Sequence, residues 1–339
     1  IDMPSGSRLT GRALKDAQLV WVEALDDGDP EKEAEYRDRI MTLSAPFTYN
    51  SREIIKIEER YGGLSWLEKK GMALLTERNW KKRWYTTYLV DVDADIVSPK
   101  LIFSLSTQDR YNDPGRPVGT YTDRGEYVII YEKGNVYLSG RGASEQGDRP
   151  FLDKMNLHTK NTERLFHSSS GSYETFRGFF ADSRDKIIIH HESKVDVPNY
   201  YKLNLKDKSR TRLTSFEDPA PQMTGIHKEL ITYTREDGVP LSGTLYLPPD
   251  YRKGERLPLV LWAYPREYSN PKIAGQVRGS PNRFTFFRGY SQLFFVLQGY
   301  AVLDGAQMPV VGDPKTMNDT FVKQIVSSAE AAIDTLDEM

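Results

Sequence analysis

The five histidines of this 339-residue sequence are the first place to look for chemistry, because imidazole serves both as a metal ligand and as a general base. His190 and His191 are the only adjacent pair. Neighbouring residues of a strand point to opposite faces, so this pair cannot hold one ion between them. No histidine follows His227. A Ser–Asp–His triad in which the histidine comes last therefore cannot be completed within this sequence.

Two further spacings look like ligand loops but lack a required residue. Asp91, Asp93 and Asp95 begin like the calcium loop of an EF-hand. The position that needs glycine in such a loop holds Ile96 instead. Residues 142–147 have the glycine spacing of a phosphate-binding loop, but Asp-Arg follows where Lys and Ser or Thr are required. We interpret the acidic run as a solvated turn, and we predict neither a metal nor an organic cofactor.

Nucleophilic residues lack a recognisable catalytic context. The sequence has no cysteine, which excludes thiol catalysis, thiolate zinc sites and disulfides. The pentapeptide Gly-x-Ser-x-Gly, which places a serine on a strained strand-to-helix turn, is absent. Residues 63–66 and 279–281 come nearest to it and lack the second glycine. A chain order of His, Asp and then Ser stays open, although no local pattern supports it.

Charge and hydropathy exclude several classes of protein. The 46 Lys and Arg against 48 Asp and Glu give a formal net charge of −2. Nucleic-acid binders and proteins of anionic membranes normally carry a basic face, so we predict neither partner. No apolar run approaches the roughly 18 to 20 residues that span a bilayer. The length is sufficient for a sizeable core distributed over two or three domains.

Short strands dominate the predicted structure up to about residue 221. Runs of about five to eight residues rich in Tyr, Val, Ile, Thr and Trp alternate with turn-forming clusters, and only residues 30–39 could form a short helix. A loose repeat of roughly 45 to 50 residues favours stacked four-stranded sheets, as in a β-propeller. A β-sandwich, or several small β domains, is the alternative.

The pattern changes after residue 221. Alternating segments at 230–234 and 243–247 flank an Arg-Glu-Asp-Gly turn and predict a hairpin. Near-continuous apolar runs at 257–263 and 300–303 predict strands that are covered on both faces, as in a parallel α/β sheet.

Two helices are predicted to accompany this sheet, at 291–298 and 319–339. The second has an apolar stripe, and Asn318 and Asp319 are its candidate N-caps. The sequence therefore predicts an α/β sheet whose last crossover helix is not followed by a strand.

Several long motifs in this sequence carry a specific resemblance. Residues 231–249 and 257–265 resemble the entry to the catalytic domain of the prolyl oligopeptidase family of serine peptidases. Six further segments resemble the glutamyl endopeptidase branch of that family: 108–115, 142–152, 218–222, 274–284, 304–309 and 318–321. The resemblance covers nearly the whole chain from about Leu19 onward.

The resemblance implies a β-propeller that caps an α/β-hydrolase domain. We expect a partial propeller of about four blades at residues 1–221, followed by an incomplete α/β-hydrolase domain at residues 222–339. In the family, the nucleophilic serine follows the helix that matches 319–339, and the aspartate and histidine come later. We therefore expect a piece of a longer chain that is inactive alone. Its cut edges would be covered by the remainder of the protein or by self-association.

The resemblance also suggests site residues. In prolyl oligopeptidases, a tyrosine just after the strand that matches 257–263 donates its hydroxyl to the oxyanion, and Tyr264 occupies the matching position. Specificity for glutamate needs a cation in the substrate pocket, and arginine binds a carboxylate through two parallel hydrogen bonds. Arg266, Arg278 and Arg283 follow in the next loop, and we favour Arg278 and Arg283.

The expected function is that of a serine endopeptidase that hydrolyses peptide bonds after acidic residues by acyl transfer to serine. Its partner would be a peptide substrate, and its location exported, periplasmic or organellar. The alternative is a non-catalytic propeller protein, for binding or as a scaffold, with a degenerate hydrolase domain. An exopeptidase of the same family also stays open.

Overall fold

The computed structural model describes residues 10–181 and 183–339, so the first nine residues of the predicted propeller segment lie outside the described residues. The chain divides into two compact units. The first comprises the residues up to Thr107 together with Arg116–Leu138 and Asp153–Glu163. The second comprises Gln108–Gly115, Ser139–Leu152 and Arg164–Met339. The domain boundary after residue 221 stays a prediction.

Among the described residues up to Arg212 the structure has four sheets of four strands each, in keeping with the short strands predicted there. The first two sheets are each built from consecutive strands. Their strands are β1 (Thr10–Gly11), β2 (Gln18–Ala24), β3 (Asp38–Ser44), β4 (Arg52–Ile57), β5 (Arg60–Trp66), β6 (Met72–Asn79), β7 (Trp84–Asp91) and β8 (Lys100–Ser106).

The third sheet is not built from consecutive strands, because a separate hairpin lies between its first and second strands along the chain. The third sheet has the order β14-β13-β12-β9, the hairpin pairs β10 with β11, and the fourth sheet again uses consecutive strands β15 to β18. These strands are β9 (Arg116–Pro117), β10 (Gly119–Tyr121), β11 (Tyr127–Ile129), β12 (Asn135–Gly140), β13 (Phe151–Asn156), β14 (Thr162–His167), β15 (Tyr173–Phe180), β16 (Ser183–Glu192), β17 (Asn199–Asn204) and β18 (Arg210–Arg212).

Adjacent sheets of the first unit bury both faces of β6. Leu75 packs with Val20 and Ile40 of the first sheet. Its neighbour Leu74 belongs to a second apolar cluster, which includes Val136 and Leu138 of β12. Successive strand residues point to opposite faces, so one strand contributes to two cores. This packing explains why the strands of this part read as apolar at consecutive positions rather than alternating with polar residues.

The predicted helix at 30–39 is wrong. The chain makes turns there and enters β3 at Asp38. The Leu25 amide donates to the Arg37 carbonyl at 2.8 Å, so the β2–β3 hairpin pairing continues into the end of the segment. The Asp29 carboxylate accepts the Glu31 amide at 2.9 Å and stabilises a local turn instead.

A mixed sheet follows, with the order β19-β20-β22-β21. Its first three strands pair antiparallel, and β21 pairs with β22 in parallel, as the two apolar runs predicted. Short helical segments accompany it at Pro221–Met223, Gln292–Gln298 and Met317–Thr320. The strands and α-helices are β19 (His227–Thr234), β20 (Pro240–Leu247), β21 (Leu259–Tyr268), β22 (Ala301–Val311), α1 (Pro271–Ala274) and α2 (Phe321–Glu338).

Both faces of the mixed sheet are covered. Leu245 and Leu303 pack with Ala332 of α2 on one face. Their neighbours Tyr246 and Val302 pack with the 3₁₀ segment Gln292–Gln298 on the other face. The helices therefore flank the sheet on two sides, which is the arrangement of α/β proteins. None of the helices among the described residues has both the length and the apolar character needed to cross a bilayer.

The N-cap predicted for α2 is also wrong. Asn318 and Asp319 lie inside the 3₁₀ segment that precedes the helix, and Thr320 at the cap position makes no side-chain capping hydrogen bond. The Phe321 amide donates to the Asn318 carbonyl. A main-chain carbonyl of the 3₁₀ turn, and not a side chain, thus accepts from the first amide of the helix.

Candidate active-site cleft

A cavity of about 710 Å³ in the second unit is lined by residues of the mixed sheet, of β16 and of the loop between β21 and β22. It lies beside the carboxyl-terminal halves of the parallel pair, which is where α/β sheets usually bind ligands. All four residues singled out from the sequence line it: Tyr264, Arg266, Arg278 and Arg283.

The sequence predicts Tyr264 just after the end of a strand. In the structure it lies within that strand, β21. The parallel pairing with β22 continues as far as Tyr268, because β22 itself runs on to Val311. Tyr264 is 78% exposed, so its hydroxyl is available at the cleft. The strand assignment for 257–263 was therefore too short, whereas the placement of the side chain at the cleft agrees with the expectation.

A β-bulge separates Tyr264 from the regular part of the sheet. Trp262 lies opposite Asp304 and Ala263 lies opposite Ala306, so Gly305 is the extra residue on β22. Gly305 has a φ of +63°, a conformation that glycine adopts without the steric cost borne by other residues. Bulges re-aim the side chains that follow them and are frequent beside active sites.

Arg278 is half-buried and donates a hydrogen bond to the hydroxyl of Tyr268. Burial lowers the pKa of Arg278, and repulsion from Arg266 and Arg110 acts in the same direction. Within residues 10–181 and 183–339, no carboxylate forms an ion pair with Arg278. A partly desolvated guanidinium without a counter-ion is costly, so this site favours an incoming anion.

Arg283 has a different environment. Its Nε lies 3.5 Å from Oε1 of Glu192, and its guanidinium carbon lies 5.2 Å from the ring centroid of Tyr173. The second oxygen of Glu192 accepts the Phe284 amide at 2.9 Å. Glu192 is buried, and its carboxylate partly compensates the charge of the exposed Arg283. Of the two favoured arginines, Arg278 is thus the one that forms no ion pair with a carboxylate among the described residues.

A hub centred on Gln276 holds the loop that carries Arg278. The side-chain oxygen of Gln276 accepts the Arg110 amide at 2.7 Å, and its nitrogen donates to the Asp109 carboxylate at 2.8 Å. The Gln276 carbonyl accepts from Nε2 of Gln307 at 2.7 Å. Gln276 is itself buried, so these bonds are shielded from water.

Two further contacts extend this hub along the loop. The Val277 amide donates to the Tyr111 hydroxyl at 3.0 Å, and the Asp148 amide donates to the Gly279 carbonyl at 2.7 Å. The Asp148 carboxylate is occupied by Arg110, at 2.9 and 3.1 Å. Sequence reasoning missed these positioning residues, although the motifs at 108–115, 142–152 and 274–284 contain them.

A second group of charged side chains lies in the cleft around Lys228, which is only 8% exposed. Its ammonium donates to the Arg283 carbonyl at 2.8 Å. Burial lowers the pKa of Lys228 to about 8. Asp304 also lines the cleft, and burial raises the pKa of its carboxyl group.

The two adjacent histidines face different surroundings, in agreement with the sequence argument. His190 lines the cleft, burial lowers its pKa, and its Nδ1 finds no hydrogen-bond partner among the described residues. Nδ1 of His191 lies 2.8 Å from the carboxylate of Glu174, which raises the pKa of His191. Glu174 also accepts from Arg210, so His191 belongs to a buried structural network.

In the part of the chain that the structure describes, no group of three or more His, Asp or Glu side chains is placed to hold a metal ion. Within the acidic run 91–95, Asp93 is bound by Arg12 at 2.5 and 2.8 Å. These bonds lower the pKa of Asp93 to about 2. The run is a turn held by an ion pair.

The structure is similar to solved peptidases in fold. It matches the acylaminoacyl peptidase of Pyrococcus horikoshii with a TM-score of 0.52 and 13% identity, over 98% of this chain and 46% of that chain. It matches a structure from a study of two prolyl endopeptidases with a TM-score of 0.50 and 15% identity, over 94% and 41% of the two chains. The fold is therefore of the prolyl oligopeptidase type.

Sequence comparison narrows this class. Proteins named "Probable glutamyl endopeptidase, chloroplastic" from Oryza sativa subsp. japonica and from Arabidopsis thaliana are each 38% identical over 95% of this chain. The chain belongs to the prolyl oligopeptidase family of serine peptidases, in its glutamyl endopeptidase branch. It spans 36% of the length of these curated relatives. No family model matches the sequence.

Proposed function

We propose that this chain provides the substrate-binding cleft of a serine endopeptidase that cleaves after acidic residues. The observation that carries the proposal is Arg278, a half-buried guanidinium in the cleft with no carboxylate partner among the described residues. Guanidinium binds carboxylate through charge-assisted, often paired hydrogen bonds. A glutamate or aspartate side chain would supply the missing counter-ion.

The charge of the cleft supports the same substrate class. Five cationic side chains line it, against two carboxylates, although the chain as a whole is slightly acidic. The cations are Lys228, Arg266, Arg278, Arg283 and Arg288, and the carboxylates are Glu192 and Asp304. Such a lining raises the local concentration of acidic peptides and speeds their association.

The role that we propose for Tyr264 is to donate its hydroxyl to the oxyanion that forms when the scissile carbonyl is attacked. Its exposure at the cleft, just beyond the bulge at Gly305, supports this role. The chain has no Gly-x-Ser-x-Gly turn and no histidine after His227. We therefore propose that serine, aspartate and histidine of the triad come from elsewhere in the protein, and that this chain alone does not hydrolyse peptides.

The four four-stranded sheets are proposed to be blades of a β-propeller. Burial of both faces of β6 through Leu74 and Leu75 supports stacking of this kind. We also propose an organellar location, because the two plant relatives carry "chloroplastic" in their names.

The test uses the protein expressed from its complete gene and three peptides that differ only in Glu, Gln or Leu before the scissile bond. The proposal expects kcat/KM to be highest for Glu. In Arg278→Ala, the Glu value should fall by about 100-fold, which corresponds to a lost charged hydrogen-bond pair of roughly 3 kcal/mol. The values for Gln and Leu should change much less.

Arg283→Ala is the matched variant, because Glu192 already pairs with Arg283. We expect it to lower the Glu preference less than Arg278→Ala does. Equal cleavage of the Glu and Leu peptides by the unmodified protein would overturn the acidic specificity. Tight binding of the Glu peptide without cleavage would favour the alternative of a binding protein.

A further inference from the structure

The environment of Tyr268 contains an unused hydrogen-bond donor. This residue ends β21, is 3% exposed and lines the same cleft as Arg278. Arginine has only N–H donors, so the Tyr268 oxygen must be the acceptor in the bond that joins the two side chains. The hydroxyl hydrogen of Tyr268 then points elsewhere. No acceptor for it is found in the described part of the chain.

The guanidinium of Arg278 also has unused donors. Arginine offers five N–H groups, and the bond to Tyr268 occupies one of them. The ring of Tyr268 lies with its centroid 5.9 Å from the guanidinium carbon, so the two side chains stay close together. Several N–H groups and one O–H group therefore lie side by side at the wall of a cavity.

The charges around this pair make an anion the fitting ligand. Arg266 and Arg110 repel Arg278, and among the described residues only Arg110 of these two forms an ion pair, with Asp148. Asp148 lies close enough to attract Arg278, but both of its oxygens are taken by Arg110. An incoming carboxylate would accept the free hydrogens and offset the repulsion.

We propose that Tyr268 and Arg278 together bind the side-chain carboxylate of the substrate, with the Tyr268 hydroxyl donating a second hydrogen bond to the carboxylate that the Arg278 guanidinium holds. This inference rests on the proposed acidic specificity of the cleft. Tyr268 thereby becomes a specificity-determining residue. Its bond to Arg278 also orients the guanidinium toward the ligand.

The preference for glutamate over glutamine follows from this geometry. A carboxylate offers acceptors only, so it can use every donor of the pair. A glutamine amide brings one oxygen and two N–H groups, and the N–H groups would face other donors. Hydrogen bonds to a charged group are roughly twice as strong as neutral ones, so the hydroxyl stabilises bound glutamate more than bound glutamine.

The test compares Tyr268→Phe with the unmodified protein, expressed from the complete gene. The substrates are C-terminally amidated peptides with Glu or Gln before the scissile bond, so that only the side chain supplies a carboxylate. Loss of one hydrogen bond to a charged group should lower the Glu-to-Gln ratio of kcat/KM by roughly tenfold to a hundredfold. This ratio does not depend on the fraction of protein that is correctly folded, because that fraction cancels.

Tyr233→Phe is the matched control. Tyr233 is also a buried tyrosine of the mixed sheet, and its hydroxyl has no hydrogen-bond partner among the described residues, but it does not line the cleft. The control should leave the ratio within twofold of the unmodified value. An equal fall for both peptides in Tyr268→Phe would show a structural role and overturn the proposal, as would an unchanged ratio.

A double variant separates this proposal from the one on which it rests. If Tyr268 binds the carboxylate together with Arg278, Tyr268→Phe should have little further effect on the ratio once Arg278→Ala is present. If the unmodified protein shows no preference for Glu, the proposed specificity fails. A clear preference for Glu that depends on Arg278 but not on Tyr268 contradicts only the role of Tyr268.

Discussion

Buried charges are treated in opposite ways in the first unit and in the cleft of the second. In the first unit, Asp26 is fully buried and accepts hydrogen bonds from Arg37 and Arg60, both at 2.7 Å. In the cleft, Arg278 is partly buried and leaves its charge without a carboxylate partner among residues 10–181 and 183–339. Stability explains the first arrangement, whereas the second leaves an unpaired charge at the cleft, for which we have proposed an acidic ligand.

The largest effect is expected from breaking the paired arrangement. Asp26→Ala leaves the partly buried Arg37 and Arg60 without the carboxylate that they share. It should lower the free energy of unfolding by about 3 to 5 kcal/mol. Urea denaturation measures this change. Asp27→Asn is the control, since Asp27 is exposed and, among the described residues, pairs with Lys32; asparagine also tolerates the positive φ of this position, so the change should cost less than about 1 kcal/mol.

Because of Asp26, we expect the free energy of unfolding of the first unit to fall at acidic pH. Burial alone would raise the pKa of Asp26, but hydrogen bonds from Arg60 and Arg37 outweigh it and lower the pKa. A lowered folded-state pKa means that the stabilisation is present above the ordinary aspartate range and is lost as the pH falls through the folded-state pKa. In Asp26→Ala, this part of the pH dependence should be missing.

Lys228 is expected to produce the next largest effect on the free energy of unfolding, and it should do so at alkaline pH. Its folded-state pKa of about 8 lies below the usual lysine value, so the folded state releases its proton more readily. Stability should rise between about pH 8 and 10.5, by up to about 3 kcal/mol. Lys228→Met should flatten this rise, and Lys272→Met at an exposed position should not. An unchanged slope in Lys228→Met would contradict the burial argument.

A smaller effect is expected from the Gln276 hub. Gln276→Leu removes the bonds to Asp109 and to the Arg110 amide, so the loop should lose about 1 to 3 kcal/mol of stabilisation. We expect KM for the Glu peptide to rise more than kcat falls, because the change displaces Arg278 and not the reacting groups. Gln146→Leu, at an exposed position, is the matched control.

The smallest effect on stability is expected from replacing Arg278, because its charge does not contribute to folding through an ion pair among the described residues. Arg278→Met replaces an uncompensated guanidinium by an apolar side chain of similar length, and should change the free energy of unfolding by less than about 1 kcal/mol or increase it. Arg60→Met, which removes a partner of Asp26 and Asp38, should be clearly destabilising. If both variants lost stability equally, the contrast between the two regions would disappear.

The sequence was sufficient for the local elements and for part of the site. β19 and β20 were predicted as a hairpin, because their alternating segments flank an Arg-Glu-Asp-Gly turn. Arg278 was singled out because it stands in one of the motifs that resemble the family, and the structure places it at the cavity, whereas its role stays a prediction. The end of β21 was not, since its last residues are strand only through pairing with β22.

Tyr268 and the Gln276 hub were missed for a related reason. The partners Asp109 and Gln276 are separated by more than 160 positions along the chain, and no local pattern encodes their hydrogen bond. Tyr268 reads as one of 20 tyrosines until the structure brings its hydroxyl to Arg278. Specific site geometry is a tertiary property, whereas periodicity reports only which face of an element is apolar.

The Gln276 hub has a consequence for how new specificities arise. The loop is held by groups at positions 276, 277 and 279, and none of these bonds uses the side chain of residue 278. Residue 278 can therefore be exchanged while the anchors on either side stay in place. Under the proposed function, natural variation or library selection at this one position should change the residue type after which the complete protein cleaves, at little cost to folding.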